Sequence, residues 1–176
     1  MKPIIFVLSF CLSLFNCQIE THKDSGLAVK TVLKGDYNLP QFAGSHVNDS
    51  TYYFLVEVNL VNKNHSEIKF LTYSCSPIEC FVLNTDSVQI CFNNCNKNSL
   101  TLINLKPKGV YSLPIILQAN SKNPTCHVKV GFILLDPDIK ESYLDVLSKR
   151  RKSLKDVIWS ESIFLHPGGG LIYEIK

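Results

Sequence analysis

The chain has 176 residues, a formal net charge of +3 and seven cysteines. That length suits one domain, which on folding buries about two-thirds of the surface its unfolded chain exposes. A charge balance so close to neutral excludes broad electrostatic capture of nucleic acid or of an acidic membrane surface, and it makes any basic patch local.

The N-terminus reads Met1-Lys2-Pro3, then an apolar run from Ile4 to Phe15 interrupted only by Ser9, Cys11 and Ser13, then Asn16-Cys17-Gln18. One positive charge ahead of about a dozen apolar residues is the pattern of an export signal, and the run is too short to cross about 30 Å of hydrocarbon as a helix. The expected organisation is a signal over 1–17, a flexible polar tether over 18–26 and one domain over 27–176. Leu14-Phe15-Asn16-Cys17 resembles a lipoprotein signal of the relaxed type found in Bacteroidetes envelope proteins. The resemblance implies that Cys17 becomes a lipidated N-terminus and that contact with the membrane is through the lipid alone. The alternative is an ordinary signal cut near Asn16 to Gln18, which leaves a freely secreted protein.

Leu27 to Lys34 alternates Leu27, Val29, Thr31 and Leu33 against Ala28, Lys30, Val32 and Lys34, a first strand expected at an edge. Gly35 to Ser50 reads as a loop built on Pro40, Gly44, Asn48 and Asp49. Thr51 to Asn62 carries Tyr52, Phe54, Val56, Val58 and Leu60 on one face and is expected as a central strand. The turn Lys63-Asn64-His65-Ser66 then predicts a hairpin with Glu67 to Tyr73. A second hairpin is predicted between Ile78–Leu83 and Val88–Phe92 across Asn84-Thr85-Asp86-Ser87. Leu100 to Leu105 follows, then Val110 to Gln118, where Pro114 cannot donate to a ladder and so predicts an edge or a bulge. Cys126 to Leu135 alternates again. From Ile139 to Ile158 the period changes to that of a helix, with Ile139, Tyr143, Leu147, Leu154 and Ile158 in phase. Strands at Trp159–Leu165 and Leu171–Ile175 close the chain around His166-Pro167-Gly168-Gly169-Gly170, a tight turn and not a phosphate cradle, since a strand follows it. Eight to ten short strands with frequent turns predict an all-β, immunoglobulin-like antiparallel β-sandwich with one short helical excursion near 139–156. The stretch from Tyr53 to Leu135, with its Val-Glu-Val-Asn-Leu-Val-Asn-Lys-Asn strand and turn, Cys75, Cys95-Asn96-Lys97-Asn98 and the Lys-Val-Gly-Phe strand, is similar to immunoglobulin-like domains of secreted proteins and lipoproteins of Bacteroidetes. That resemblance implies an envelope location and no particular chemistry.

Five cysteines fall in the expected domain: Cys75, Cys80, Cys91, Cys95 and Cys126. If Leu83 faces Val88 across the second hairpin, Cys80 faces Cys91 and Cys75 lies near Cys95, with opposed Cα atoms about 4.5 Å apart, within reach of a disulfide. Two nested bridges with Cys126 left over are the first expectation, because export favours cystine. Free buried thiols are a second reading. A zinc site is a third, since Cys75-x4-Cys80 and Cys91-x3-Cys95 have ligand-like spacings.

No nucleophile elbow, zincin helix or phosphate loop occurs. His46, His127 and His166 are scattered over three segments and read as satisfied or surface residues. Asp136, Asp138 and Glu141 lack the spacing of a calcium loop and read as a turn before the helical segment. Lys149-Arg150-Arg151-Lys152 is a candidate surface for an acidic partner, set against the plainer reading of a solvated helix face. Asn48-Asp49-Ser50 and Asn64-His65-Ser66 are glycosylation sequons should the source glycosylate its exports, in which case 149–152 is also a candidate processing site. The resulting expectation is an exported, non-enzymatic envelope protein without a cofactor, tethered by lipid or secreted, that binds an unspecified protein or envelope polymer and no nucleic acid. The alternatives are a secreted inhibitor or scavenger presenting a loop such as Gly35 to Ser50, and a metal-binding module built on the cysteines.

Overall fold

The computed structural model describes residues 25–36, 51–91, 99–120 and 125–168. The expected signal with Cys17, most of the tether and of the Gly35–Ser50 loop, Cys95 and the closing strand Leu171–Ile175 lie outside the described residues. In chain order the elements are β1 (Leu27–Asp36), β2 (Thr51–Asn62), β3 (Ile68–Tyr73), a 3-10 turn (Pro77–Cys80), β4 (Phe81–Leu83), β5 (Val88–Ile90) and β6 (Leu100–Leu105). They continue with β7 (Val110–Asn120), β8 (Cys126–Val128), β9 (Val130–Ile133), α1 (Tyr143–Ser153), β10 (Val157–Trp159) and β11 (Ile163–Leu165).

One layer is the antiparallel sheet β1-β2-β7-β5. In the other, β9 lies between β10 and β4, β11 pairs with β8, and β6 pairs with β3. An isolated antiparallel bridge from Leu71 to Leu135 joins the β3–β6 pair to the end of β9. All pairings are antiparallel. Both layers feed one core. Phe54, Val56, Val58 and Leu60 from β2, Ile115 and Leu117 from β7, Phe70 from β3 and Val130, Phe132 and Ile133 from β9 are almost fully removed from water. The alternation read along β2 is therefore the pattern of a strand with one face in a sandwich core.

β1 is an edge and β2 is central, as the alternation indicates. The two expected hairpins do not form. β2 is paired on one edge by β1 and on the other by β7 along nearly its whole length, so no edge remains for β3, which crosses to the second layer and pairs with β6. Likewise β4 pairs with β9 while β5 pairs with β7. Asn84 decides this locally: its N–H donates to Lys129 O at 3.3 Å and its Oδ1 accepts from Lys129 N at 2.6 Å. These bonds prolong the β4–β9 ladder where a hairpin turn would have begun.

Pro114 sits inside a central strand, opposite Glu57 of β2. Among the described residues β5 pairs with β7 from Ala119 to Leu117 and Cys91 N donates to Ile116 O, so Pro114 lies beyond those pairings. The long strand 126–135 is broken at Lys129, and its partner is broken at Ser160. At that break the Ser160 hydroxyl accepts from Val130 N at 3.0 Å while its own N–H donates to Val130 O at 2.9 Å. Beside it, Gly131 lies opposite Trp159, and a Cβ there would come within 2.8 Å of the Trp159 ring, so the indole occupies the space a side chain would need.

The helical excursion is shorter than its periodicity suggests. Leu154 adopts a left-handed conformation (φ 53°) and its N–H caps Arg150 O at 2.7 Å, which ends α1 and releases Ile158 to β10. No helix among the described residues is long and apolar enough to cross a membrane.

Candidate functional site

The cysteines do not gather as their spacing suggests. Cys80 and Cys91 are free thiols, and the register that would oppose them is missing because β4 and β5 lie in different layers. Cys126 is also a free thiol. Cys75 is disulfide-bonded, so a four-thiolate zinc site on Cys75, Cys80, Cys91 and Cys95 does not assemble. Cys80 is fully buried, its thiol 4.0 Å from Thr72 Oγ1. Burial pushes its thiol up to about 11, against the opposing hydrogen bond to Thr72. Burial also raises the Cys91 and Cys126 thiols, both of them only partly enclosed. The thiolate is the reactive form. Alkylation of the folded protein at mildly alkaline pH is therefore expected to modify Cys91 and Cys126 first, with Cys80 reacting only as fast as the chain unfolds; peptide mass mapping against time reads this order. Early labelling of Cys80 would contradict its enclosure.

The basic cluster is largely committed to holding the helix. Arg150 Nη1 donates to Leu134 O at 2.7 Å. Arg151 donates to Glu79 O and lies 4.0 Å from the Glu79 carboxylate, fastening the last turn of α1 to the 3-10 turn. Lys149 Nζ meets Glu141 Oε2 at 2.9 Å, and that contact holds the Glu141 carboxyl below its usual range. Three cations in the last helical turn also oppose the helix dipole favourably. Lys152 and Arg151 both line an open cleft of about 620 Å³ between β4 and β5, whose rim they share with Asp86. The expected docking patch is thus, for Arg150 and Arg151, an internal brace.

The remaining polar candidates also resolve into local roles. Asp136 Oδ1 accepts from Asp138 N at 2.9 Å, a turn leading into the helix, as read from the sequence. Asn64 of the second sequon packs its amide against Gly26 (φ 62°) and donates to Ser25 O at 3.3 Å, so the β2–β3 turn already uses that side chain. His46 and Asn48 lie outside the described residues. The layer topology brings His127 and His166 to either side of Phe164: the His127 and Phe164 ring centroids are 4.8 Å apart, Phe164 and His166 stack at 6.2 Å, and His166 Nδ1 lies 3.3 Å from Thr125 Oγ1. Among the described residues no group of three or more metal-ligating side chains forms.

What the structure does gather is apolar surface. β6 pairs with β3 so that Leu100, Leu102 and Asn104 share a face with Lys69, Leu71 and Tyr73, away from the core occupied by Phe70, Thr72 and Leu105. Leu100 is 37% exposed and Leu102 47%. Leu144, at the start of α1, is 65% exposed and joins Leu100, Tyr73 and Tyr143 around a depression of about 560 Å³ rimmed by Lys140 and Glu141. Sequence reasoning missed this face. Its readable signal is that Leu-Thr-Leu-Ile-Asn-Leu contains no charge or proline, and that Leu144 falls outside the helical phase set by Tyr143 and Leu147.

Fold and site together define an antiparallel β-sandwich whose inserted helix borders an apolar outer face. The chain matches no protein-family model and no curated protein. A crystal structure of a FixG-related protein from Vibrio parahaemolyticus is similar to 81% of this chain and 97% of that chain, with 14% identity and a TM-score of 0.37, a likeness too distant to bear on fold or function.

Proposed function

We propose that this chain is an exported, non-enzymatic binding or assembly module of a cell envelope, carried to its place by the 1–17 signal and either tethered through a lipid on Cys17 or secreted. The observation that carries this reading is the exposed apolar face of Leu100, Leu102, Leu144 and Tyr73. Contiguous apolar surface with a polar rim is the signature of a contact made with another macromolecule. The same reading pairs Cys75 with Cys95. Ser74 N donates to Ser99 O at 2.8 Å, which brings the chain on either side of that pair together, and an oxidising compartment maintains such a bridge.

The test is site-specific photocrosslinking in the native host, with a photoreactive residue at position 102 or 144 and, for comparison, at Phe164 in another part of the fold. A discrete adduct from 102 and 144, absent from 164, supports the module; no adduct from either position, or hydrolysis of an envelope polymer by the purified chain, overturns it. Intact mass of the mature chain before and after reduction reads the tether and the bridge in one experiment. Acyl chains on Cys17 and a gain of two hydrogens are the expected result.

A further inference from the structure

From the β6 edge we infer that this face joins two copies of the chain, by antiparallel pairing of β6 with its twin; the inference deepens the binding-module reading and rests on it. An edge strand presents a row of unpaired N–H and C=O groups, and proteins guard such rows with charge, proline, bulges or brevity. Among the described residues the other edges are guarded. β1 carries exposed Lys30, the Lys34–Glu57 pair at 3.1 Å and a register irregularity between Leu33 and Gly35. β4, β5, β8, β10 and β11 are three residues each, and β3 carries exposed Lys69 and is bridged on its outer edge from Leu71 to Leu135. β6 has six residues, no charge and no proline, and among the described residues it pairs with β3 alone.

The occupant that this edge fits is the strand itself. In an antiparallel pair related by a two-fold axis, each residue faces one of the same parity, so outward residues meet outward residues whatever the register. Leu100 and Leu102 of one copy then lie beside Leu100 and Leu102 of the other on one continuous outer face, while the ladder satisfies both rows of backbone groups. Because Leu-Thr-Leu-Ile-Asn-Leu is uncharged, the two copies approach without like-charge opposition across the new ladder. Leu144 and Tyr143 stand beside Leu100 and widen the contact beyond the strand. The pairing is isologous and closes on itself, giving a dimer and not a fibre.

Sedimentation velocity over a concentration series, on the mature chain processed from the full-length product, tests this with Leu102→Lys and with Phe164→Lys as the comparison. Both positions are exposed, so neither change disturbs the core. The parent and Phe164→Lys are expected to sediment as dimers with one dissociation constant, and Leu102→Lys to raise that constant roughly 100-fold by burying two unpaired, like charges. Hydrogen exchange provides a second reading that needs no variant: amides of residues 100–105 slow as the parent is concentrated. A parent that is monomeric throughout, or two variants that behave alike, overturns the dimer. A monomer whose position 102 still crosslinks to a different protein overturns the second copy as occupant and leaves the binding-module reading standing.

Discussion

Replacing Asn62 with aspartate is expected to lower stability at neutral pH by about 3–5 kcal/mol, the range for leaving a buried charge uncompensated. Asn62 is fully buried at the end of β2. Its Nδ2 donates to Ser66 O at 2.8 Å, Leu105 O at 2.9 Å and Lys106 O at 3.1 Å, and its Oδ1 accepts from Asn64 N at 2.8 Å. One side chain thereby ties the turn after β2 to the turn between β6 and β7, where the chain passes between layers. Aspartate has nearly the same shape but, when ionised, only accepts, so three carbonyls would face an anion. Its carboxyl pKa in the folded state must rise above the unfolded value. For such a group the stability is fully present below the unfolded pKa and is lost as pH rises through the folded pKa. The deficit against the parent should therefore be small near pH 3, about one unit below an ordinary aspartate, and complete at neutral pH. Urea denaturation of both proteins at the two pH values measures it. A pH-independent deficit would mean that shape, and not the missing donor, is at fault.

Phe132→Ala is expected to cost about 3–5 kcal/mol, with Phe132→Leu well below that. Phe132 is 1% exposed and packs edge-on to Phe70 at 5.5 Å and tilted against Phe81 at 5.1 Å; Phe70 in turn meets Tyr111 of β7 at 6.2 Å, edge to face. These rings connect β9, β4 and β3 to the opposite layer. Removing the Phe132 ring leaves a cavity that the three remaining rings cannot fill by rotamer change alone, and the pairs with Phe70 and Phe81 lose a further specific attraction. The shift in denaturation midpoint at unchanged slope is the measurement. A loss under about 1 kcal/mol would show that the layers collapse onto the gap.

The core strands were legible because burial imposes a period. Tyr52 to Leu60 alternates in the sequence, and of the residues so marked Phe54, Val56, Val58 and Leu60 are buried while Tyr52 is half-buried. The Asp136–Asp138 turn followed from its own side chains. The roles of Arg150 and Arg151 were not legible. A cluster of cations at a helix end reads alike whether it faces water or, as here, the carbonyls of Leu134 and Glu79, which come from segments distant in sequence.

By itself the sequence determined an antiparallel all-β chain with one helical insertion, the inward face of β2 and the positions of several turns, because periodicity and turn chemistry are local properties. Which strands pair was decided only by the tertiary structure. A turn such as Asn84–Ser87 serves equally to close a hairpin or to carry the chain from one layer to the other, and the choice depends on which edges β2, β7 and β9 leave open. With that choice went the fate of Cys80 and Cys91, separated into two layers, and the exposure of β6, whose Leu100 and Leu102 face outward because β3 orients them so.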